Sequence, residues 1–336
     1  MITLAQSRVG KADKVQQQVI DIFLKKSEVL ELLPFDNAVS PNGGSTLIYG
    51  YVQEKAPSSA AFRAIGSEYT NSEALVEEKT VKLAVFGGSF KIDRVIKEIE
   101  GQLNNMAYQL EQKIDAAIAV FHDGMINGDI AKEANGFDGL DKFLIGTANE
   151  FNTEAAIDLS TMEKLKENAD VFYEALLNLI NKSSANALFV NEDMKTKIQT
   201  VARVLGYKTE SEEAFGRVVT TIGENKVRLI DLGNTYKVTG TEEAGNVVVT
   251  RTPIIDKKSR TLAAGETAGL TDIYAVKFDV NTGFHGVTIT GDDVVQQYLP
   301  DFTAPGAVKE GEVEMIACVA LKNANNAGVL RNIKIA

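Results

Sequence analysis

Residues 91–127 read KIDRVIKEIEGQLNNMAYQLEQKIDAAIAVFHDGMIN, a single long helical pattern without proline and with Gly101 as the only glycine before the last turn. Apolar side chains recur at Ile92, Ile96, Ile99, Leu103, Met106, Leu110, Ile114, Ala117, Phe121 and Met125. Steps of three or four residues put them on one stripe of a helix. At about 1.5 Å per residue such a helix runs about 50 Å, longer than a compact domain is usually wide. The stretch predicts a strut crossing an elongated molecule, which suggests a building block more than a catalyst.

Working outward, residues 12–33 predict an amphipathic helix with Val15, Val19, Ile22, Phe23, Val29 and Leu30 on one face, closed by Pro34. The run Ser40-Pro41-Asn42-Gly43-Gly44-Ser45 breaks the chain. Thr46–Glu54 and Ala74–Phe86 have strand character and predict a long hairpin. Lys55–Ser72, between them, is rich in Ala, Ser and Gly. A hairpin with so little apolar mass is marginal alone and makes sense lying on another chain. Gly87-Gly88-Ser89 is expected to lead into the long helix.

Beyond the strut, Asn135-Gly136-Phe137-Asp138-Gly139-Leu140-Asp141 is a turn-rich connector. A second helix is expected over 160–182, opened by the capping box Ser160 and Glu163, with Leu165, Ala169, Phe172, Leu176 and Ile180 as its stripe. Ala187–Val190 reads as a short buried strand. Asn191 caps a third helix with Met194, Ile198, Val201 and Leu205 on one face and Gly206 at its end. The later chain is β-rich, with strands expected at Arg217–Ile222, Lys226–Leu232, Asn246–Thr252, Ile273–Val280, Gly286–Thr290 and Glu312–Leu321. The class is α+β, with pairing between N-terminal and C-terminal strands.

The 336 residues suffice for two domains or one elongated subunit. A net charge of −11 argues against a nucleic-acid binder, which needs basic patches to neutralise phosphates. The single cysteine, Cys318, lies in an apolar run and reads as a small core residue. The N-terminus lacks a signal-peptide pattern, and no stretch approaches about 18 apolar residues, so a soluble intracellular product and no membrane span are expected.

Catalytic chemistry is sparse. His122 reads as a helix-surface or packing residue, and His285, in Gly283-Phe284-His285-Gly286, as part of a loop between strands. Neither has metal-ligand spacing. Asp123–Ala134 fails as a calcium loop, because Met125 and Ala134 stand where oxygen ligands are required. Gly87-Gly88-Ser89-Phe90-Lys91 is no nucleophile elbow, and neither GxxxxGK[ST] nor GxGxxG occurs. No catalytic, cofactor-binding or metal residue is assigned, and no cofactor is expected.

The order of parts resembles the major capsid proteins of tailed bacteriophages, the HK97-like fold. Ala56-Pro57-Ser58-Ser59-Ala60-Ala61-Phe62-Arg63-Ala64-Ile65-Gly66 looks like an extended-loop element of one such group. Phe86-Gly87-Gly88-Ser89-Phe90-Lys91-Ile92-Asp93 resembles the strand leading to the spine helix, and Gly136-Phe137-Asp138-Gly139-Leu140 the connector after it. Ile273-Tyr274-Ala275-Val276-Lys277-Phe278, Gly283-Phe284-His285-Gly286-Val287, Ala320-Leu321-Lys322-Asn323-Ala324 and Leu330-Arg331-Asn332-Ile333 resemble the late segments.

The resemblance implies an N-terminal arm with the entry to the peripheral domain over 1–45 and an extended hairpin loop over 46–86. It implies a peripheral domain over 87–185 and about 305–325, holding the spine helix 91–127, and an axial domain over 186–304 that exchanges strands with it. The implied function is a structural, non-enzymatic one: self-assembly into pentamers and hexamers of an icosahedral head shell around double-stranded DNA, with no sequence-specific DNA contact. The chain would be built in the host cytoplasm and reside in the virion. A portal protein and a decoration protein are further implied partners. The spine pattern starts too early for a fused scaffolding domain, so a separate scaffolding protein is expected. Lys55 and Lys79 flank the loop, but no cross-link is expected. An encapsulin-like nanocompartment shares the fold and is the alternative; a carboxylate-dependent hydrolase is the alternative of another class, and a surface adhesin is disfavoured by the missing signal peptide.

Overall fold

The computed structural model describes residues 26–39, 47–56, 58–95, 105–207, 210–214, 217–223, 225–239, 248–263, 265–289 and 294–336. The chain begins with α1 (Glu28–Leu32), β1 (Phe35–Val39), β2 (Ile48–Ala56), β3 (Leu75–Lys82) and β4 (Ala84–Asp93). Then come α2 (Asn105–Asn127), α3 (Leu140–Leu144), β5 (Glu150–Asp158), α4 (Met162–Ser183), β6 (Ala187–Val190) and α5 (Glu192–Val204). The β-rich half holds β7 (Glu210–Ala214), β8 (Arg217–Ile222), β9 (Val227–Asp231), β10 (Asn234–Thr239), β11 (Val248–Pro253) and β12 (Lys258–Leu262). It continues through β13 (Gly265–Val276), β14 (Phe284–Ile289), β15 (Val295–Tyr298) and β16 (Val308–Leu321) to β17 (Ala327–Lys334).

Two sheets organise these elements. In the first, β16 is central. It pairs antiparallel with β4 on one side and with β14 and β15 on the other, and β1 adds parallel to β14. The second runs β5-β17-β13-β6-β9-β8-β7, with β12 also on β13. The pairs β2–β3 and β10–β11 stand apart as two-stranded ribbons. The expected joining of early and late strands is present in β1–β14 and β4–β16.

Helix α2 packs on the first sheet. Its buried face comprises Ile114, Ala117, Ile118, Phe121, Met125 and Ile126, while Val120 on the opposite side is exposed. The Phe121 ring stacks on Phe86 of β4 at 5.8 Å and lies 6.1 Å from Phe137. The residues of β16 that alternate toward this helix, Val313, Met315, Ala317 and Val319, are fully buried. A second core lies between α4, α5 and the second sheet, around Phe172, Leu176, Leu188, Val201, Leu229 and Ile273.

Several expectations are corrected. The long helix does not begin at Lys91: residues 91–93 complete β4, pairing with Glu310, Lys309 and Val308. Arg94 and Val95 are helical, 96–104 lie outside the described residues, and α2 covers Asn105–Asn127, about 34 Å long. Ile92 fits both the alternation Phe86, Gly88, Phe90, Ile92 and the helical stripe, and pairing with β16 decides between them. Gly87-Gly88 is mid-strand rather than a connector. A Cβ on Gly87 would sit 1.9 Å from the Val313 carbonyl, so the ladder needs glycine there.

The expected strand 74–86 is split at Leu83, one half serving the β2–β3 ribbon and the other the first sheet. Of the expected helix 12–33, residues 12–25 lie outside the described residues. The remainder is interrupted at Ser27, which caps α1 by accepting from the Leu30 amide. That piece packs on its own body, with Val29, Leu30 and Leu33 fully buried. The cap of α4 is Thr161, one residue past Ser160, whose hydroxyl instead binds Asp158 at 2.6 Å. Asn191 caps α5 as expected. Among the described residues no helix is long and apolar enough to cross a membrane.

Phe121→Ala should destabilise the chain by about 3–5 kcal/mol in urea unfolding, since it empties the contact between α2 and the first sheet. Val120→Ala, on the exposed side, should change stability by less than about 0.5 kcal/mol.

Candidate assembly surfaces

The β2–β3 ribbon is seated only at its base. Tyr49, Tyr51 and Val81 are buried against the body, whereas Leu75 to Thr80 are exposed. Period-two alternation then leaves Ile48 and Val52 facing outward. The Tyr49 hydroxyl donates to Asp36 Oδ2 at 2.9 Å, and Gln53 Nε2 donates to the Leu321 carbonyl at 3.0 Å. Leu83 N donates to the Leu47 carbonyl at 2.9 Å and closes the ribbon's foot.

Beyond the ribbon, residues 58–74 form a loop held by its own polar contacts. Ser59 N donates to Ser72 Oγ, Arg63 Nη1 donates to the Ser67 carbonyl at 3.1 Å, and its guanidinium lies 5.0 Å from the Tyr69 ring centre. Phe62 and Ile65 are 108% and 105% exposed, as open as in an isolated peptide. Two neighbouring apolar side chains so presented form a candidate contact surface. The β10–β11 ribbon presents a second set, Tyr236, Val248 and Val249, which the sequence reading did not single out.

Among the described residues the densest charge cluster joins the second sheet to α3. Arg331 donates to Glu150 at 2.6 Å, Asp141 at 2.8 Å and Asp272 at 3.3 Å, and Arg260 grips both oxygens of Asp272. Tyr274 donates to Asp141 at 2.8 Å, and Arg260 also reaches Asn332 Oδ1, whose residue is held at φ +65 in a strand bulge. Burial works to raise the Asp141 pKa, but the Arg331 charge and the hydrogen bonds from Tyr274 and Arg331 bring it below the ordinary carboxylate value. Each acid here is engaged by an arginine, so the cluster braces β12, β13, β17, β5 and α3 rather than presenting a free base.

A smaller concavity of about 210 Å³ at the start of α5 gathers Glu192, Asp193, Asp231 and Arg251. Its acids are also occupied. Arg251 pairs with Glu192, Lys257 pairs with Asp193, and Asp231 accepts from the Gly233 amide. Among the described residues no group of three His, Cys, Asp or Glu gathers as a metal site.

The histidines are both interior. His122 on α2 bridges Ser27 Oγ at 2.8 Å and the Leu232 carbonyl at 3.0 Å, and burial pushes its pKa down to about 4. His285 is not in a loop. It lies within β14, fully buried, because the strand begins at Phe284. Cys318 is a core residue as expected, its thiol pKa pushed up by burial. Gly139, in the connector, approaches the end of α2 closely: its amide donates to the Gly128 carbonyl, and a Cβ would lie 2.6 Å from the Ile126 carbonyl.

No family model and no curated protein matches the sequence. Solved structures do match in shape. A chain of the holo-SrpI encapsulin complex from Synechococcus elongatus has a TM-score of 0.57 at 13% identity, covering 99% of this chain and 96% of that one. A chain from Mycobacterium phage Bobi has a TM-score of 0.53 at 9% identity over 92% and 91%. The capsid of the native GTA particle gives 0.52 at 9% identity over 91% and 89%. The chain therefore has a capsid-type shell fold. More particularly, it is the HK97-like fold shared by phage capsids and encapsulins.

Removing one member of the buried cluster strands charge. Arg331→Met should cost about 3–5 kcal/mol in urea unfolding at pH 7. The share of stability carried by Asp141, whose folded pKa is depressed, is full above its unfolded value of about 4 and lost as pH falls through the folded one. In wild type, pH titration of the urea midpoint should show that loss, and in Arg331→Met it should be reduced.

Proposed function

We propose that this chain is a major capsid protein, self-assembling through pentamers and hexamers into an icosahedral head shell around double-stranded DNA. The observation that carries the reading is the hairpin 46–86: a ribbon seated only at its foot, ending in a loop whose Phe62 and Ile65 are fully exposed among the described residues. Such a device buries its apolar tip only when laid on a neighbour.

In this reading α2 is the described part of the spine helix of a peripheral domain over 87–185 and about 305–325. Residues 186–304 form the axial domain, with β14 and β15 exchanged into the first sheet. Residues 1–45 are the arm and the entry to the peripheral domain. Tyr236, Val248 and Val249 on the second ribbon suit contacts between axial domains. The net charge of −11 supports a lumen that repels packaged phosphate rather than gripping it. A separate scaffolding protein, a portal protein and a decoration protein would complete the particle, assembled in the host cytoplasm.

The match to the encapsulin supports a second reading, a nanocompartment shell around protein cargo. Nuclease-protected DNA in purified shells would support the head; shells with protein and no DNA would support the compartment.

Deleting residues 57–72 should leave a folded chain, its thermal midpoint within a few degrees of wild type, that forms no stable shells by electron microscopy. Normal shells from the deletion would refute the role given to the loop.

A further inference from the structure

The outer face of the first sheet changes character along β16. Glu312, Glu314 and Ile316 on that face are only half-buried, whereas Cys318 and Ala320 are fully buried. The change falls where the foot of the β2–β3 ribbon covers the sheet. Register puts His285 opposite Ala320 and Val287 opposite Cys318, so all four side chains share this covered face. The Tyr49 ring meets the His285 ring edge-on at 6.1 Å.

His285 is incompletely satisfied there. Its Nδ1 lies 3.3 Å from the Gly283 carbonyl and, facing an acceptor, carries the proton. Its Nε2 is enclosed and has no hydrogen-bond partner among the described residues. The charged and titratable groups facing it come from each packed element: Asp36 on β1, Tyr49 and Tyr51 on β2, Asp279 before β14, Cys318 on β16 and Lys322 just after it. Asp36 is already engaged by the Tyr49 hydroxyl and by Lys322, 3.9 Å away, and Asp279 by the Asn281 amide and Thr282. A second proton on His285 would therefore create a buried N–H without an acceptor, beside the Lys322 cation.

We propose that His285 is a proton-sensitive latch for the β2–β3 ribbon, whose foot seats on the sheet while the imidazole is neutral and lifts when it is protonated. Lifting exposes Nε2 to water and frees the ribbon to swing about its junction with the sheet at Leu47 and Leu83. The latch belongs to the single chain and stands whether or not the chain builds a shell. Burial lowers the seated-state pKa of His285 to about 4 from 6.5. The sign follows: seating is strongest above about 6.5, weakens as pH falls, and levels off below about 4.

Cys318, the chain's only cysteine, lies under the same foot and reports its lifting. Its attack on the disulfide of dithiodipyridine, which stays reactive toward thiols at acid pH and releases thiopyridone as the mixed disulfide forms, should be followed from neutral pH to pH near 4 and normalised to a free thiol. The wild-type rate should rise by up to about tenfold for each pH unit below about 6.5, with the far-UV circular dichroism unchanged. His285→Gln should abolish the rise, and His122→Gln should keep it. Lys322→Met, which leaves the imidazole but removes the opposing cation, should make the rise shallower and guards against a His285 variant that fails to fold. A flat wild-type profile, an undiminished rise in His285→Gln or Lys322→Met, or loss of circular dichroism over the same range would each overturn the latch.

Discussion

The structure depends on one strand being paired on both sides. β16 is held along ten consecutive positions by β4, from Val308 opposite Asp93 to Ala317 opposite Ala84. Its other edge is taken by β15 and then β14. That pairing joins residues more than two hundred positions apart and fixes the platform on which α2 packs through Phe86, Phe121 and Met315. It also decides where the β2–β3 ribbon can go. Because β4 begins directly after Leu83, the ribbon must leave the sheet at that point, and only its foot can rest on the sheet's outer face.

The two cores are stabilised by different means. The first is an apolar sandwich of sheet and helix, with stacked phenylalanines at its centre. The second is also apolar, but the strands β5, β12, β13 and β17 of its sheet are stitched to one another and to α3 by a partly buried arrangement of two arginines and three carboxylates. Such arrangements contribute less to net stability than to uniqueness of register, since any slip would leave a charge unpaired in a dry environment. Asn332, in the left-handed region beside Arg331, marks the bulge that aims those side chains inward. A body braced in this way suits a part that must present its contact elements at fixed positions.

Much of this was legible in the sequence where one force acted alone. Ala187–Val190 and Arg217–Ile222 emerged at the expected limits, and Asn191 capped its helix, because local pattern and tertiary role agreed. Reading failed where two periodicities overlapped. Residues 91–93 fit the helix stripe and the strand alternation equally, and pairing with β16 won. The split at Leu83 was invisible for the same reason, since both halves have strand composition. β17 and α3 were missed because Arg331, Asn332 and Asp141 look like surface residues until their partners are brought in from distant strands. The exposed loop 58–74 was anticipated from its shortage of core formers, but the prominence of Phe62 and Ile65, and the second ribbon with Tyr236, needed the three-dimensional arrangement. His285 was misplaced because its flanking glycines suggest a turn, whereas Gly286 serves to admit the Phe35 ring, which would lie 2.5 Å from an added Cβ.

The proposed reading makes this chain a subunit that completes its burial only among copies of itself. Electron cryomicroscopy of the purified full-length chain tests that claim most directly. The account predicts closed shells in which the loop 58–74 of each subunit lies on a neighbour, with Phe62 and Ile65 buried at the contact. Monomers or small discrete oligomers at all concentrations, with that loop free in solvent, would contradict it.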